Sequence, residues 1–81
     1  MTVLYFAWFR ERIGVPKEEV ETKATTVAEL IDDLRARDDR HAAAFADLEG
    51  IKVAVNQKVQ PFDASLAGAQ EVAFFPPMTG G

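Results

Sequence analysis

The chain has 81 residues, with thirteen acidic against nine basic side chains and a formal net charge of −4; this size suits one domain, and the negative charge argues against nucleic acid as the main partner. Cysteine is absent, which excludes disulfides, thiolate metal sites and chemistry on a side-chain thiol. No apolar run approaches the roughly 20 residues of a membrane span, and the N-terminus lacks the features of a signal peptide, so we expect a cytoplasmic protein without a membrane partner.

Two strands are predicted in the first 22 residues. The apolar run over residues 3–9 is rich in aromatic side chains, which predicts a strand covered on both faces. Residues 13–16 contain Gly14 and Pro16 and are typical of a turn. A more polar strand over residues 18–22 is expected to pair antiparallel with the first and to lie nearer an edge.

The clearest helix signal begins at Thr26. Thr26 and Glu29 have the spacing of a capping box, in which the hydroxyl caps a free N–H and the glutamate reaches back. Apolar residues then recur at i, i+3, i+4 and i+7, which predicts one stripe facing a sheet. This stripe consists of Val27, Leu30, Ile31 and Leu34. A short alanine-rich helix over residues 41–46, with Phe45 packed inward, is expected to follow.

Three more extended segments are predicted in the second half. Residues 51–55 form a third strand, a turn follows at residues 56–58, and a brief extended piece at 59–60 ends at Pro61, which cannot donate a ladder hydrogen bond. Residues 63–70 are expected to form a loop, with one helical turn near 64–66. The last strand covers residues 71–75 and is closed by two prolines.

This order of elements predicts an α+β domain. We expect a mixed sheet of about five strands, with one main helix and a short second helix covering one face. A final strand placed beside the first, and parallel to it, would generate the β-grasp, or ubiquitin-like, arrangement. The predicted domain covers residues 1–75, and residues 76–81 form an extended C-terminal tail.

The last strand ends on a candidate docking residue. Side chains alternate along a strand, so Val72 and Phe74 share one face while Ala73 and Phe75 share the other. If the first pair faces the helix, Phe75 points outward beside the tail. An exposed phenylalanine there would suit a partner, because large aromatic side chains dominate interface energetics. The alternative is that the protein's own loops cover it.

The tail itself combines a stiff base with a thin tip. Pro76 and Pro77 fix φ twice and remove two N–H donors, so the strand cannot continue pairing and the chain should leave in an extended path. Six residues from Pro76 onward reach at most about 20 Å. Gly80 and Gly81 would present the α-carboxylate on a stalk without Cβ atoms, which can enter a narrow channel. A frayed end is the alternative, but it would need neither proline.

Other candidates for chemistry are weak. His41 is the single histidine and has no second ligand near it in sequence, and the acidic pairs at residues 32–33 and 38–39 are most simply solvated helix charges. Trp8 and Phe9 are best interpreted as core or strand-face aromatics. We therefore expect no metal site, and the unusual reactive group is the carboxylate at the end of the tail.

Three segments resemble one known family. Residues 72–81 (Val-Ala-Phe-Phe-Pro-Pro-Met-Thr-Gly-Gly), 3–11 and 53–57 are similar to the small subunit of molybdopterin synthase, the MoaD type. The resemblance spans essentially the whole chain and implies the β-grasp fold. One departure is visible: the family often has an acidic Asp-Gly-Asp-Glu turn before the last strand, where residues 67–71 here are Ala-Gly-Ala-Gln-Glu.

The resemblance implies a sulfur-carrier function. An E1-like activating enzyme, an adenylyltransferase and sulfurylase, would use ATP to adenylate the carboxylate of Gly81, which is then converted to a thiocarboxylate. The tail would insert into the large subunit of molybdopterin synthase and give its sulfur to cyclic pyranopterin monophosphate. Two small subunits would each give one sulfur to build the dithiolene of molybdopterin, which implies a heterotetramer with two large subunits.

The same resemblance assigns roles along the tail. The inserted segment would consist of Pro76, Pro77, Met78, Thr79 and Gly80. Phe75 and Phe6 would make the apolar contact with the partner. Because the activating enzyme and the large subunit would supply the catalytic side chains, this chain would be a sulfur-donating subunit with no bound cofactor of its own.

Three other functions are compatible with much of the same sequence pattern. A sulfur carrier for thiamin thiazole synthesis has the same fold, diglycine and activation, but its family lacks the Phe-Phe-Pro-Pro sequence. A protein modifier would be joined through Gly81 to lysines and would give lysine-linked conjugates, whereas a carrier would give a free thiocarboxylate. A β-grasp interaction module would need no chemistry at the terminus.

Overall fold

The computed structural model describes residues 1–77, and its strands form one five-stranded mixed sheet in the order β2-β1-β5-β3-β4. The strands are β1 (Thr2–Tyr5), β2 (Lys17–Glu19), β3 (Lys52–Val55), β4 (Lys58–Gln60) and β5 (Glu71–Phe75). The helices in this part of the chain are α1 (Trp8–Ile13), α2 (Val27–Arg35) and α3 (Asp39–Ala44). The predicted α+β class and the five-stranded mixed sheet are confirmed.

The first and last strands lie side by side at the centre of the sheet. They pair in parallel from Thr2 opposite Glu71 to Tyr5 opposite Phe74, as the β-grasp arrangement requires. Strand β2 pairs antiparallel with β1 and forms one edge, although it is shorter than the predicted 18–22. Strand β3 pairs antiparallel with the other side of β5. The end of β5 is therefore flanked by a strand on each side.

The prediction of one strand over residues 3–9 is wrong beyond Tyr5. Ala7 adopts a positive φ of 54°, which turns the chain out of the sheet and into α1. Phe9 and Ile13 stand four residues apart and are both buried on one side of this helix. Gly14, with φ 99°, ends it by donating its N–H to the carbonyl of Arg10. Phe9 is therefore a core residue, but it lies on a helix.

Helix α2 begins as predicted. The Thr26 hydroxyl accepts a hydrogen bond from the Glu29 N–H at 3.2 Å, while Glu29 Oε1 reaches back to the N–H of Thr25 instead of Thr26. The hydrogen bond accepted by the glutamate therefore comes from one residue earlier than in a standard capping box. All four residues of the predicted apolar stripe are buried, so the helix covers the sheet with the expected face.

Helix α3 begins two residues earlier than predicted because Asp38 caps it. The Asp38 side chain accepts a hydrogen bond from the N–H of His41 at 2.8 Å, which satisfies one of the free donors of the first turn. Phe45 follows the helix and is fully buried, as expected. Its ring packs edge-on against Phe74 from β5 and also contacts Phe9, so one aromatic cluster joins α1, the end of α3 and the sheet.

The segment between β4 and β5 forms turns, and the helical turn expected near residues 64–66 is not present there. Ser65 instead forms an isolated bridge with Thr26. Asn56, in the hairpin between β3 and β4, accepts hydrogen bonds from the N–H groups of Gln70 and Glu71. Gly68 adopts a φ of 74°, so the turn survives in spite of the departure at residues 67–71.

Candidate docking face and tail base

The five strands present two different faces. On one face, buried side chains of the sheet join a core with residues of all three helices; we call this set, which consists of Val3, Tyr5, Val53, Val72 and Phe74, the covered face. The alternate residues point to the other side of the sheet. We call the apolar residues there, namely Leu4, Phe6, Ala54, Val59, Ala73 and Phe75, the open face.

The open face is a continuous apolar row across four strands. Leu4 lies opposite Ala73 and Ala73 opposite Ala54. Ala54 lies opposite Val59 at the sheet edge, where the Val59 side chain is 72% exposed. Ala54 and Ala73, in the middle of the row, are buried, so its exposed apolar area lies at Val59 and Phe6. We treat this exposed apolar area as a candidate protein interaction surface.

The two predicted docking residues meet at the end of this face. The rings of Phe6 and Phe75 are stacked with centroids 4.6 Å apart and an angle of 11° between their planes. Phe6 is 40% exposed and Phe75 is half-buried, so the protein's own loops do not cover the pair. Lys52 lies opposite Phe75 on β3, which places a positive charge beside the aromatic pair.

The base of the tail begins directly after this aromatic pair. Strand β5 ends at Phe75, and Pro76 and Pro77 leave the ladder, as their missing N–H groups predict. Pro77 packs against Gly50, whose φ is 78°. Of the remaining predicted tail residues, Met78, Thr79, Gly80 and Gly81 lie outside the described residues.

A groove borders the tail base on the side of α1. Pro77 lines it together with Trp8, Arg12 and Glu49. The guanidinium carbon of Arg12 lies 4.1 Å from the centroid of the Trp8 ring, which is a cation–π contact. Trp8 is therefore partly exposed beside the tail base instead of lying on a strand face.

A polar network that sequence reasoning missed links β1, β2 and the start of α3. The Tyr5 hydroxyl donates to Glu18 Oε2 at 2.6 Å, and His41 Nε2 lies 2.7 Å from the same oxygen. His41 Nδ1 lies 2.8 Å from Asp38 Oδ1. Because both ring nitrogens face carboxylate oxygens, the doubly protonated imidazolium satisfies both contacts. His41 is thus a charged structural residue of the network.

The pKa values of this network reflect its hydrogen bonds. Burial would lower the pKa of His41, but hydrogen bonds to Glu18 and Asp38 outweigh it and hold the pKa above its ordinary value. Burial would raise the pKa of Glu18, but hydrogen bonds from His41 and Tyr5 hold it below the usual range. Burial first, and then the hydrogen bond to Glu18, raise the pKa of Tyr5. The hydrogen bond from the His41 N–H, followed by that from its ring, lowers the pKa of Asp38.

Two local signals for this network were present in the sequence. Glu18 stands two residues before the buried Val20 and therefore shares its inward side of the chain. Asp38 stands three residues before His41, which is the spacing between an N-cap and the third helical residue. The contact between Glu18 and His41 spans 23 positions, and no local pattern predicts it.

Within residues 1–77, no group of three or more His, Cys, Asp or Glu side chains is arranged to hold a metal ion. The helices of the same range are also too short or too polar to cross a membrane.

Comparison with known proteins places the chain in a family. The profile of the ThiS family matches residues 3–81. The chain belongs to the ThiS family. Its relatives include the molybdopterin synthase sulfur carrier subunit of Escherichia coli (strain K12), which is 44% identical over 98% of this chain and 96% of that protein. The molybdopterin synthase sulfur carrier subunit of Haemophilus influenzae is 36% identical over 100% of this chain and 99% of that protein.

A solved structure supports the fold of this ThiS-family chain. SAMP1 from Haloferax volcanii superimposes with a TM-score of 0.80 at 25% identity, covering 100% of this chain and 98% of that one. The resemblance to the molybdopterin synthase small subunit and the ubiquitin-like β-grasp fold are thus both confirmed. Phe6 and Phe75 are brought together beside the tail base, while their docking role stays a prediction.

Proposed function

We propose that this ThiS-family chain is the sulfur-carrier small subunit of a molybdopterin synthase. The observation that supports this best is the 44% identity to a molybdopterin synthase sulfur carrier subunit over 98% of the chain. The geometry agrees with it: the central strand β5 ends in two prolines beside an exposed aromatic pair. A partner bound to that pair would receive the tail at the edge of its contact surface.

The proposed chemistry takes place on the carboxylate of Gly81. A carboxylate oxygen attacks the α-phosphate of ATP held by an E1-like activating enzyme, which releases pyrophosphate and leaves an acyl adenylate. A sulfur nucleophile then displaces AMP, and the product is a thiocarboxylate. Adenylation is needed because a free carboxylate is a poor electrophile, whereas the thioacid offers a nucleophilic sulfur. Met78, Thr79 and Gly80 extend this group away from the tail base.

The large subunit is the proposed acceptor of the tail. There the sulfur of Gly81 forms a bond to carbon of cyclic pyranopterin monophosphate while a carbon–oxygen bond of that substrate breaks and the oxygen leaves. Water then cleaves the acyl–sulfur bond of the resulting thioester, which returns the carboxylate of Gly81 and leaves the sulfur on the pterin. Two small subunits acting on two large subunits supply the two sulfurs of the dithiolene. We place this reaction in the cytoplasm, where ATP is available to the activating enzyme, and assign this chain no resident cofactor.

The open face is the proposed docking surface for the large subunit. Phe6 and Phe75 provide exposed aromatic area at its end, and Val59 extends the apolar row to the sheet edge. Large aromatic side chains at the centre of an interface carry much of its binding energy. Because the same surface lies beside Pro76, docking there and insertion of the tail can occur in one complex.

Intact mass spectrometry tests the proposed chemistry. The chain is incubated with its activating enzyme, ATP and a sulfur donor, and the expected result is a mass increase equal to one oxygen replaced by sulfur. The matched control is the same chain without Gly81, which should show no increase. Addition of the large subunit and the pyranopterin substrate should then return the original mass and give a dithiolene product.

Two results would contradict the proposal. An unchanged mass in the complete mixture would rule out the sulfur-carrier function. Thiocarboxylate formation followed by lysine-linked conjugates, without dithiolene product in the presence of the large subunit, would instead indicate a protein modifier.

A further inference from the structure

Gly50 stands directly beside the base of the tail. It lies two residues before β3, and the register of β3 with β5 places Lys52 opposite Phe75. When this antiparallel register is extended by two residues, Gly50 comes opposite Pro77. Pro77 thus remains next to Gly50 after the ladder has ended, although it has no N–H with which to pair.

A side chain at position 50 would press against Pro77. A Cβ built on Gly50 would lie 3.0 Å from the Cβ of Pro77 and 3.1 Å from its Cγ. Contacts this short require the neighbour to give by a few tenths of an ångström, and here the neighbour is a ring whose φ is fixed. The ring also lines the groove that Trp8 and Glu49 border.

We propose that Gly50 is a positioning residue that sets the direction in which the tail leaves the sheet. Because Gly50 has no Cβ, the Pro77 ring lies close against its backbone at the base of the tail. The inference rests on the proposed function, in which the tail must enter a partner. Four residues follow Pro77 and reach at most about 14 Å, so a shift at the base displaces the reactive carboxylate.

The expected consequence is kinetic. Productive transfer requires the sulfur to reach a near-attack position, and a misplacement of about 1 Å can reduce a rate by about 100-fold. A side chain at position 50 should therefore slow transfer of sulfur within the complex. It should have a smaller effect on docking through the open face, which is formed by other residues.

The chain offers a matched control in Gly68. Its φ of 74° is close to the 78° of Gly50, but a Cβ at Gly68 would meet nothing within 4 Å. Gly50→Ala and Gly68→Ala therefore impose a similar backbone strain, and the contact with Pro77 distinguishes them. Gly50→Asn and Gly68→Asn form a second pair, because asparagine tolerates positive φ better than alanine and still carries a Cβ.

The experiment measures single-turnover transfer of sulfur from each thiocarboxylated chain at saturating large subunit, together with the Kd of the complex and the Tm of each free chain. The Gly50 variants should transfer sulfur about tenfold more slowly or worse. The Gly68 variants should stay close to the parent rate. The Tm should fall by similar amounts within each pair, and if the alanine pair fails to fold, the asparagine pair provides the comparison.

Variants that also carry Pro77→Gly distinguish the effect of the contact with Pro77 from the effect of backbone strain at position 50. In chains that carry Pro77→Gly, the ring that a Cβ at position 50 would strike is absent. Adding Gly50→Ala to that background should change the transfer rate by less than about twofold, as expected for residues that no longer interact. The two effects are thus strongly non-additive if the contact is responsible.

Three outcomes have distinct meanings. If the parent chain transfers no sulfur, the proposed function itself fails, and the positioning role fails with it. If the parent is active but the Gly50 and Gly68 variants have equal rates, the positioning role alone is overturned. It is also overturned if Gly50→Ala slows the Pro77→Gly chain as strongly as it slows the parent.

Discussion

Strand β5 carries apolar residues on both of its faces, but its two phenylalanines differ in burial. Val72 and Phe74 on the covered face are fully buried against the helices. Phe75, the next residue, stacks on Phe6 at a partly exposed position. Burial of a large aromatic side chain is among the strongest contributions to folding, so Phe74 supports the domain. Phe75 retains apolar area that folding alone leaves unburied.

This difference teaches that hydrophobicity along β5 does not by itself indicate the core. The run Val-Ala-Phe-Phe is apolar throughout, which is typical of a strand with both faces covered. In this protein Ala73 and Phe75, on the other face, are not part of the core that the helices share within the described range. The apolar residues there match a surface that a partner covers, and the predictions that follow test this division from the largest expected effect to the smallest.

Phe74→Ala should have the largest effect on stability. The ring packs against Tyr5, Phe9 and Phe45 and is fully buried, so its removal leaves a cavity at the centre of the aromatic cluster. We expect a loss of about 3–5 kcal/mol in the free energy of unfolding. That is a large part of the roughly 4–12 kcal/mol typical of a domain of this size. Denaturant unfolding measures it, and a loss below that of Phe75→Ala would contradict the division of faces.

Local signals explain why much of the fold could be predicted. The helix from Thr26 has its cap, its apolar period and its charges within one short window, and β5 ends at two prolines. The parallel pairing of β1 with β5 was compatible with the order of elements, which does not fix the strand order by itself. Helix α1 was missed because an unbroken apolar run hid its i, i+4 pairs. The strand is followed by Ala7, which has a positive φ. Alanine rarely adopts this conformation, so the residue type does not indicate a turn.

The candidate site was predictable only in part for the same reason. Phe75 and the two prolines could be placed from alternation and proline chemistry alone. The contact of Pro77 with Gly50 joins residues 27 positions apart and depends on the β3–β5 register. The link from Glu18 to His41 depends likewise on how α3 lies relative to β2. Contacts of this kind exist only once the whole chain has folded.

Phe75→Ala should have the second-largest effect, and this effect should be on binding of the large subunit. Loss of the stack with Phe6 should lower the free energy of unfolding by about 1 kcal/mol. The Kd for the large subunit should rise by about 30-fold, which corresponds to about 2 kcal/mol at an interface anchor. Isothermal titration calorimetry measures the Kd. Phe74→Leu is the matched control, because it alters the covered face of the same strand and should leave the Kd near the parent value.

The smallest effect is expected from a substitution in the polar network, which consists of Tyr5, Glu18, Asp38 and His41. The folded-state pKa of His41 lies above its ordinary 6.5, so its contribution is full below that pH and is lost as the pH rises through the folded value. The folded-state pKa values of Glu18 and Asp38 lie below their ordinary 4.5 and 3.8. Their contribution is therefore present above those values and is lost as the pH falls through the folded ones.

The network should consequently stabilise the fold most at about pH 5–6.5, between these two sets of titrations. His41→Gln should lower the free energy of unfolding by about 1–2 kcal/mol near pH 6, since hydrogen bonds to charged groups are lost. The difference from the parent should shrink as the pH rises through the raised folded-state pKa of His41, where the parent imidazolium loses its proton. Urea unfolding across this range measures it, and His41 ring shifts in NMR locate the titration. A difference independent of pH would show that His41 stabilises the fold through packing, as Phe74 does, and not through its charge.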